Sequence, residues 1–274
     1  MNTEKKKRGR PSKVTMNATY VPSLINFDSI QKLNELDINP GMLESMLSGT
    51  ALDKLISHEG GVPCSTNIMC IGDPGVGKTT ILLDLMAQVQ NRNKNRKCLF
   101  ISGEMGKKQM FKYTERFKHF GIIDTLFTSD YAEYNTKDVM EQLFDKGYDL
   151  ILIDSVAEVL DAVRNDNNWD RKMAESWLVD ICYKNNKGEN KGHKFTTFLL
   201  IQQVTKGGVF VGSNKLKHMM DAALELRRDP KTEATSLEFT KNRNGNVNLK
   251  FGFQILNSSI YYGTVVEESF EDKE

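Results

Sequence analysis

The chain contains no apolar run approaching the roughly 18 residues that a membrane-spanning helix requires, so no membrane partner is expected. Its basic opening is followed by no apolar stretch of the signal-peptide kind, which argues against a secretory leader. Cysteine is scarce. Cys64, Cys70, Cys98 and Cys182 form no C-x-x-C pair and read as reduced, mostly buried thiols of a cytoplasmic protein, in a bacterium or in the host of a virus. His58, His119, His193 and His218 are scattered, which disfavours a zinc site, and no internal repeat is found. What the chain does have is core-forming material. Its 274 residues are 39% hydrophobic and 27% charged, the size of one large α/β domain with tails or of two small domains.

A net charge of +1 conceals an asymmetry. Lys5, Lys6, Lys7, Arg8, Arg10 and Lys13 crowd the first residues, whereas Glu267, Glu268, Glu271, Asp272 and Glu274 face a single Lys273 at the other end. A neutral body with oppositely charged ends predicts an electrostatic partner for each, with a protein as the candidate for the acidic tail. The plainer alternative is two solvated tails.

Residues 1–20 are polar and aperiodic and are expected to be a disordered basic arm. Residues 21–48 are expected to form an N-terminal helical segment, with a helix over 27–36 ended by Asn39-Pro40-Gly41. The main domain is placed at 49–260 and an acidic tail at 261–274. Within the domain, strands are predicted at 67–71, 98–101, 150–153 and 196–201. Helices are predicted at 79–90, 107–120, 136–146 and 170–183, with Met110, Phe111, Tyr113, Phe117 and Phe120 on one side of the second. Apolar strands alternating with helices predict an α/β fold, a mostly parallel sheet covered by helices on both faces. After Asp221 only strands remain, at 222–226, 236–240 and 249–255, which predicts an antiparallel C-terminal extension.

Gly72-Asp73-Pro74-Gly75-Val76-Gly77-Lys78-Thr79 fits the P-loop pattern G-x-x-x-x-G-K-[ST], with an apolar strand before it and a helix after it. The glycines allow backbone N–H groups to turn toward phosphate oxygens, and the helix offers its positive end to the same anion. Lys78 is expected at the β/γ-phosphates and Thr79 at Mg²⁺, with Thr80 completing the nucleotide-binding set. ATP and Mg²⁺ are therefore the expected cofactors. Asp154 closes the apolar run Leu150-Ile151-Leu152-Ile153, the position of a carboxylate that holds Mg²⁺; its alternative role is to cap the next helix. Glu104 follows the neighbouring strand, where a carboxylate can act as general base toward water; its alternative is an acid near a helix N-terminus.

With these motifs the chain resembles the RecA-like ATPases and, within them, the bacterial RadA (Sms) branch. The likeness is distributed over residues 49–256. Thr50-Ala51-Leu52-Asp53-Lys54-Leu55 and Gly60-Gly61-Val62-Pro63 resemble that branch's entry to the P-loop strand. Gln203-Val204-Thr205-Lys206-Gly207-Gly208 resembles its H-V-T-K-E-G stretch, and Leu216-Lys217-His218-Met219-Met220-Asp221 its L-E-H-M-V-D. Lys241-Asn242-Arg243-Asn244-Gly245 resembles its K-N-R-F-G signature. The resemblance implies a RecA-like P-loop core in a homo-oligomer, ring or filament. It also implies Lys241 and Arg243 at a subunit boundary reaching a neighbour's γ-phosphate, where cations stabilise transition-state charge. Without it, both would read as solvated strand-end charges. The branch's zinc ribbon and Lon-protease-like domain are not matched, so a minimal core is expected. Gln203 stands where the branch has His, closer to the DnaB-type helicases, in which Gln senses the γ-phosphate.

The resemblance further implies two loops that meet single-stranded DNA, here 156–168 and 205–212. Arg164 is the cation of the first; Lys206, Gly207 and Gly208 make the second flexible and basic, and Phe210 is placed to stack on a base. Independently, Arg8-Gly9-Arg10-Pro11 matches the core of an AT-hook, which lays arginines into the narrow minor groove of A·T-rich duplex DNA. A non-specific basic arm or a targeting run are the alternatives. The expected function is a DNA-dependent ATPase of RecA/RadA type in recombination, repair or replication, which couples hydrolysis at subunit interfaces to single-stranded DNA binding or translocation. The rivals are a DnaB-like helicase motor and a KaiC-like regulatory ATPase that does not act on DNA.

Overall fold

The computed structural model describes residues 30–202, 214–247 and 249–267 and divides the chain into two units, Met1–Ile38 and Asn39–Glu274. In the described part of the first unit, the helix predicted over 27–36 is replaced by a single 3-10 turn, Leu33–Glu35. Leu33 is 88% exposed and Ile30 77%, so these apolar side chains are not buried among the described residues. A helix this short is not stable without packing.

The second unit begins with a 3-10 turn, Pro40–Leu43, and a small antiparallel pair, β1 (Ser45–Met46) with β2 (Val62–Pro63), around α1 (Leu52–Ile56). The main sheet follows. Its elements in chain order are β3 (Asn67–Gly72), α2 (Lys78–Arg92), β4 (Cys98–Ser102), α3 (Lys107–Arg116), β5 (Asp124–Phe127), α4 (Thr136–Phe144), β6 (Leu150–Asp154), α5 (Val156–Asn167), α6 (Arg171–Asn186) and β7 (Thr197–Ile201). After these come α7 (Asn214–Met219), β8 (Ala222–Arg228), β9 (Thr235–Asn242), β10 (Leu249–Ile255) and β11 (Ile260–Glu267). The strand order is β11-β10-β9-β8-β3-β7-β6-β4-β5. Pairing is parallel from β8 to β5 and antiparallel from β8 to β11, as predicted for an α/β core with an antiparallel extension.

Successive strand residues point to opposite faces, so each central strand feeds two cores. Ile68, Cys70, Phe100, Leu152 and Leu199 pack with α2 on one face. Met69, Leu99, Ile101, Ile151, Ile153, Phe198 and Leu200 pack with α4, α5 and α6 on the other. This double burial is why the strands are continuous apolar runs. All four cysteines are free and buried. Among the described residues no helix is long and apolar enough to cross a membrane.

Three further expectations are corrected, and one strand was not foreseen. Residues 156–168, expected as a DNA-facing loop, are almost entirely α5, because Val156, Val159, Leu160 and Val163 recur at helical spacing and all are buried. The helix expected over 107–120 ends at Arg116 and gives way to a 3-10 turn, Lys118–Ile122, as Phe117 and Phe120 turn into the core and stack at 4.9 Å; Phe111 is 65% exposed, off the buried side. The tail expected from 261 begins instead with β11, which pairs with β10 in a register that sets Tyr262 opposite Phe253. Strand β5, parallel to β4, was not predicted; its Asp124 and Thr125 are exposed, so it lacks the apolar run of an interior strand.

Asp149 fastens the ends of three central strands. Its buried carboxylate accepts from Arg96 Nη1 at 2.8 Å, from the Lys97 backbone N–H at 2.9 Å and from Lys194 Nζ at 3.3 Å. Asp149→Ala takes the acceptor from the Lys97 N–H and from Lys194, leaves Arg96 with Glu44 alone, and should lower folding stability by about 3 kcal/mol. The expected reading is a lower urea midpoint at unchanged slope.

Candidate functional site

The P-loop occupies the carboxyl end of β3, where Gly72 pairs with Leu226 of β8, and α2 begins at Lys78. Two glycines are required by close contact. Gly72 has φ +146, and a Cβ there would lie 2.3 Å from the Leu226 carbonyl oxygen; Gly77 has φ +107, and a Cβ there would meet Ile255 Cδ1 at 2.5 Å. Between them, Asp73, Pro74 and Gly75 are exposed, whereas Val76 and Thr80 are buried. Lys78 is only 9% exposed, and its Nζ donates to the carbonyls of Gly72 at 2.7 Å and Asp73 at 3.0 Å. The cation therefore lies inside the loop that precedes it.

Thr79 and Asp154 are brought together across β7. The Thr79 hydroxyl donates to Asp154 Oδ2 at 2.5 Å. Beside them Ser155 is fully buried, and its Oγ has no hydrogen-bond partner among the described residues. Ser155 was not singled out from the sequence, since a serine after a strand carries no signal of its own. Glu104 follows β4, next to β6, and the Gly103 N–H donates to the Asp154 carbonyl at 2.7 Å. Glu104 is exposed, and its charge acts on Asp154. Burial is the largest influence on the Asp154 carboxyl, pushing it up from an ordinary 3.8 to about 6; Glu104 adds to the rise, while the Thr79 hydrogen bond and the Lys78 cation oppose it.

The site residues therefore fall into groups. Residues 72–80, Asp154 and Glu104 converge at the carboxyl ends of β3, β6 and β4. Lys241 and Arg243 lie at the other end of the strands. Lys241 is opposite Ala223, which is beside Met69, and its Nζ donates to the His218 and Met220 carbonyls. Arg243 pairs with Asp221 at 3.1 Å, and Asp221 in turn accepts from the Asn67 N–H at 2.9 Å. At about 3.3 Å per residue, Arg243 sits some five residues, roughly 17 Å, from Gly72 of the same chain. Asp221 is a partner that sequence reasoning missed: its place in a family-like stretch was visible, its contact with Arg243 was not. Arg164 is on α5, paired with Asp161 at 2.7 Å. Gln203, Lys206, Gly207, Gly208 and Phe210, and the arm with Arg8, Gly9, Arg10 and Pro11, lie outside the described residues.

The residues fit a magnesium nucleotide. A hydroxyl and a carboxylate form a hard-oxygen donor pair, and the Lys78 ammonium, folded onto the Gly72 and Asp73 carbonyls, supplies a cation inside the loop for an anion. The class is thus a P-loop nucleotide-binding protein on a RecA-like sheet. The AAA domain family matches residues 48–208, more than half of the chain. The chain belongs to that family and is a RecA-like ATPase related to RadA.

Among its relatives is the DNA repair protein RadA of Streptococcus pyogenes, 30% identical over 193 residues, 69% of this chain and 39% of that one. RadA of Listeria monocytogenes is 32% identical over 191 residues, with the same coverage. The chain thus spans well under half the length of these relatives. A KaiC-like protein of Pyrococcus horikoshii has the same fold, with a TM-score of 0.63 at 16% identity, over 81% of this chain and 100% of that one.

The Asp154 shift has a measurable consequence. Between its ordinary value of 3.8 and about 6, the folded chain holds a proton there that the unfolded chain has lost. Asp154 therefore favours folding below about pH 4, and that contribution is lost as pH rises through about 6. In EDTA, Asp154→Asn should be more stable than the parent above pH 6 by at most about 3 kcal/mol, with the gap closing toward pH 4. Urea unfolding across this pH range measures it.

Proposed function

We propose that the chain is a DNA-dependent ATPase that hydrolyses ATP at boundaries between copies of itself and acts in DNA recombination, repair or replication. One observation carries the oligomeric part. Lys241 and Arg243 lie at the opposite end of the sheet from the P-loop of their own chain, so the phosphate they can reach is a neighbour's. The DNA-directed part is supported by the relatives named as DNA repair proteins.

In this reading Lys78 exchanges the Gly72 and Asp73 carbonyls for phosphate oxygens, and Thr79 with Asp154 holds Mg²⁺. Mg²⁺, when bound, neutralises phosphate charge. Glu104, exposed beside Asp154, accepts a proton from the attacking water. Arg243 gives up Asp221 and offers its guanidinium to the neighbouring site, where fixed positive charge stabilises the transition state. Gln203 senses the γ-phosphate. Lys206, Gly207 and Gly208 contact single-stranded DNA, and the arm containing Arg8, Gly9, Arg10 and Pro11 adds affinity for A·T-rich duplex. Arg164, held on a helix by Asp161, contributes at most long-range attraction. The domain limits proposed are a basic arm over 1–20, a linking segment to 48 and the ATPase domain from 49 through β11.

Comparing ATPase rates with and without single-stranded DNA tests the proposal directly: stimulation is expected, and its absence in a nucleotide-binding, assembled protein would exclude the DNA-dependent reading. Glu104→Gln should retain ATP affinity while turnover falls by a factor of about 100 or more, since an amide cannot take the proton. Nucleotide binding and single-turnover hydrolysis measured together check this.

The subunit-boundary site has its own test. Lys78→Ala and Arg243→Ala should each be inactive alone, one lacking the phosphate-binding cation and the other the charge supplied to its neighbour. Mixed, a sound P-loop meets a sound Arg243, and activity should return to about a quarter of the parent for random mixing of independent sites. Inactive oligomers of verified mixed composition would assign Arg243 to its own chain.

A further inference from the structure

A cavity of about 580 Å³ opens between α4 and α6, on the sheet face opposite α2. Both tryptophans of the chain, Trp169 and Trp177, line it. Trp177 is 9% exposed, and its indole N–H donates to the Glu141 carboxylate at 2.9 Å, which fixes the ring. Acceptors dominate the remaining wall. Glu141 and Asp145 already have lysine partners, Lys137 at 3.1 Å and Lys191 at 2.6 Å. Asp180 and Glu189 form no ion pair among the described residues, and Lys184 is the one cation among the described lining residues.

A buried group points the same way. Asn185 is 2% exposed and lines the cavity; its Nδ2 donates to the Ile181 carbonyl at 2.9 Å, while its Oδ1 has no partner among the described residues. An unpaired buried acceptor is costly and rare in a folded protein, and it marks a place where a donor is expected. The complement of this wall is a cation with several N–H donors and an apolar stem. Its charge can lie against an indole face, and its stem along Met173 and Ile181. A phosphate backbone is excluded by the carboxylates, and a bare metal ion would leave the apolar wall unused.

We infer that this cavity is a docking site for a basic peptide segment of a partner protein, gripped through an arginine side chain. An arginine guanidinium offers its donors in a planar fork that suits both carboxylates and aromatic faces. The site is separate from the P-loop and does not depend on the reading of the ATPase.

The tryptophans report on the site directly, because the chain has no others. A capped tetra-arginine peptide added to the full chain should change tryptophan emission saturably, whereas tetra-glutamate should not. Glu141→Gln with Asp180→Asn keeps an acceptor for the Trp177 indole and should weaken the peptide about ten-fold or more. ATPase activity without peptide should stay unchanged. No saturable emission change would overturn the proposal, as would undiminished affinity in the double variant when its far-ultraviolet circular dichroism matches the parent. An equal response to spermidine would overturn the peptide assignment, since the cavity would then read small amines.

Discussion

The contact between the Thr79 hydroxyl and the Asp154 carboxylate depends on β3 and β6 flanking β7 in a sheet buried on both faces. Parallel strands place their carboxyl ends along one edge, and the loops leaving β3, β4 and β6 then share a crevice at the point where chain order and strand order part. A carboxylate there sits at the end of a wholly apolar strand, and burial makes its charge expensive. The protein retains it beside a hydroxyl and within the field of a lysine, which lower that cost without removing it. In the proposed function this pair is where Mg²⁺ would be held, which accounts for a carboxylate kept at some cost to the folded chain.

The antiparallel half of the sheet has a different task. From β10 it closes the back of the P-loop, with Ile255 filling the space that Gly77 leaves. The turn that follows is held by Arg116, whose guanidinium donates to the Leu256 and Asn257 carbonyls at 2.7 and 2.9 Å. On the return strand, the Tyr262 hydroxyl donates to Asp84 of α2 at 3.1 Å, and His119 lies 2.8 Å from the same carboxylate. The segment after Glu104 and the helix after the P-loop are thus joined through one hairpin. From β9 the same half carries Lys241 and Arg243 to the far end of the sheet, where Asp221 holds Arg243. In the proposed function these two ends of one sheet, with the P-loop at one and Lys241 and Arg243 at the other, are the surfaces by which copies of the chain would meet head to tail.

Much of this was legible in the order of the residues. Interior strands buried on both faces must be apolar throughout, so β3, β4, β6 and β7 announce themselves, and the P-loop follows from glycine spacing that few other structures need. Asp154 and Glu104 were noticed as carboxylates that follow apolar strands, each with a plainer alternative as an acid near the start of the next helix. Sequence pattern failed where tertiary contacts decide. Helix α5 follows its strand directly and read as a loop, although its four valine and leucine positions bury one face. Strand β11 is rich in β-branched and aromatic residues, but it runs into the acidic end of the chain and was counted with that tail; its pairing with β10 makes it part of the sheet.

The sequence by itself determined the P-loop, the parallel core and the family, because these rest on local backbone demands and on period-two burial. Tertiary structure alone decided which end of the sheet each cation occupies, that Asp221 holds Arg243, that Ile255 walls the P-loop, and that Trp169 and Trp177 share one cavity. Those facts join residues far apart in the chain, and no local pattern records a contact whose two halves are brought together only when the sheet closes.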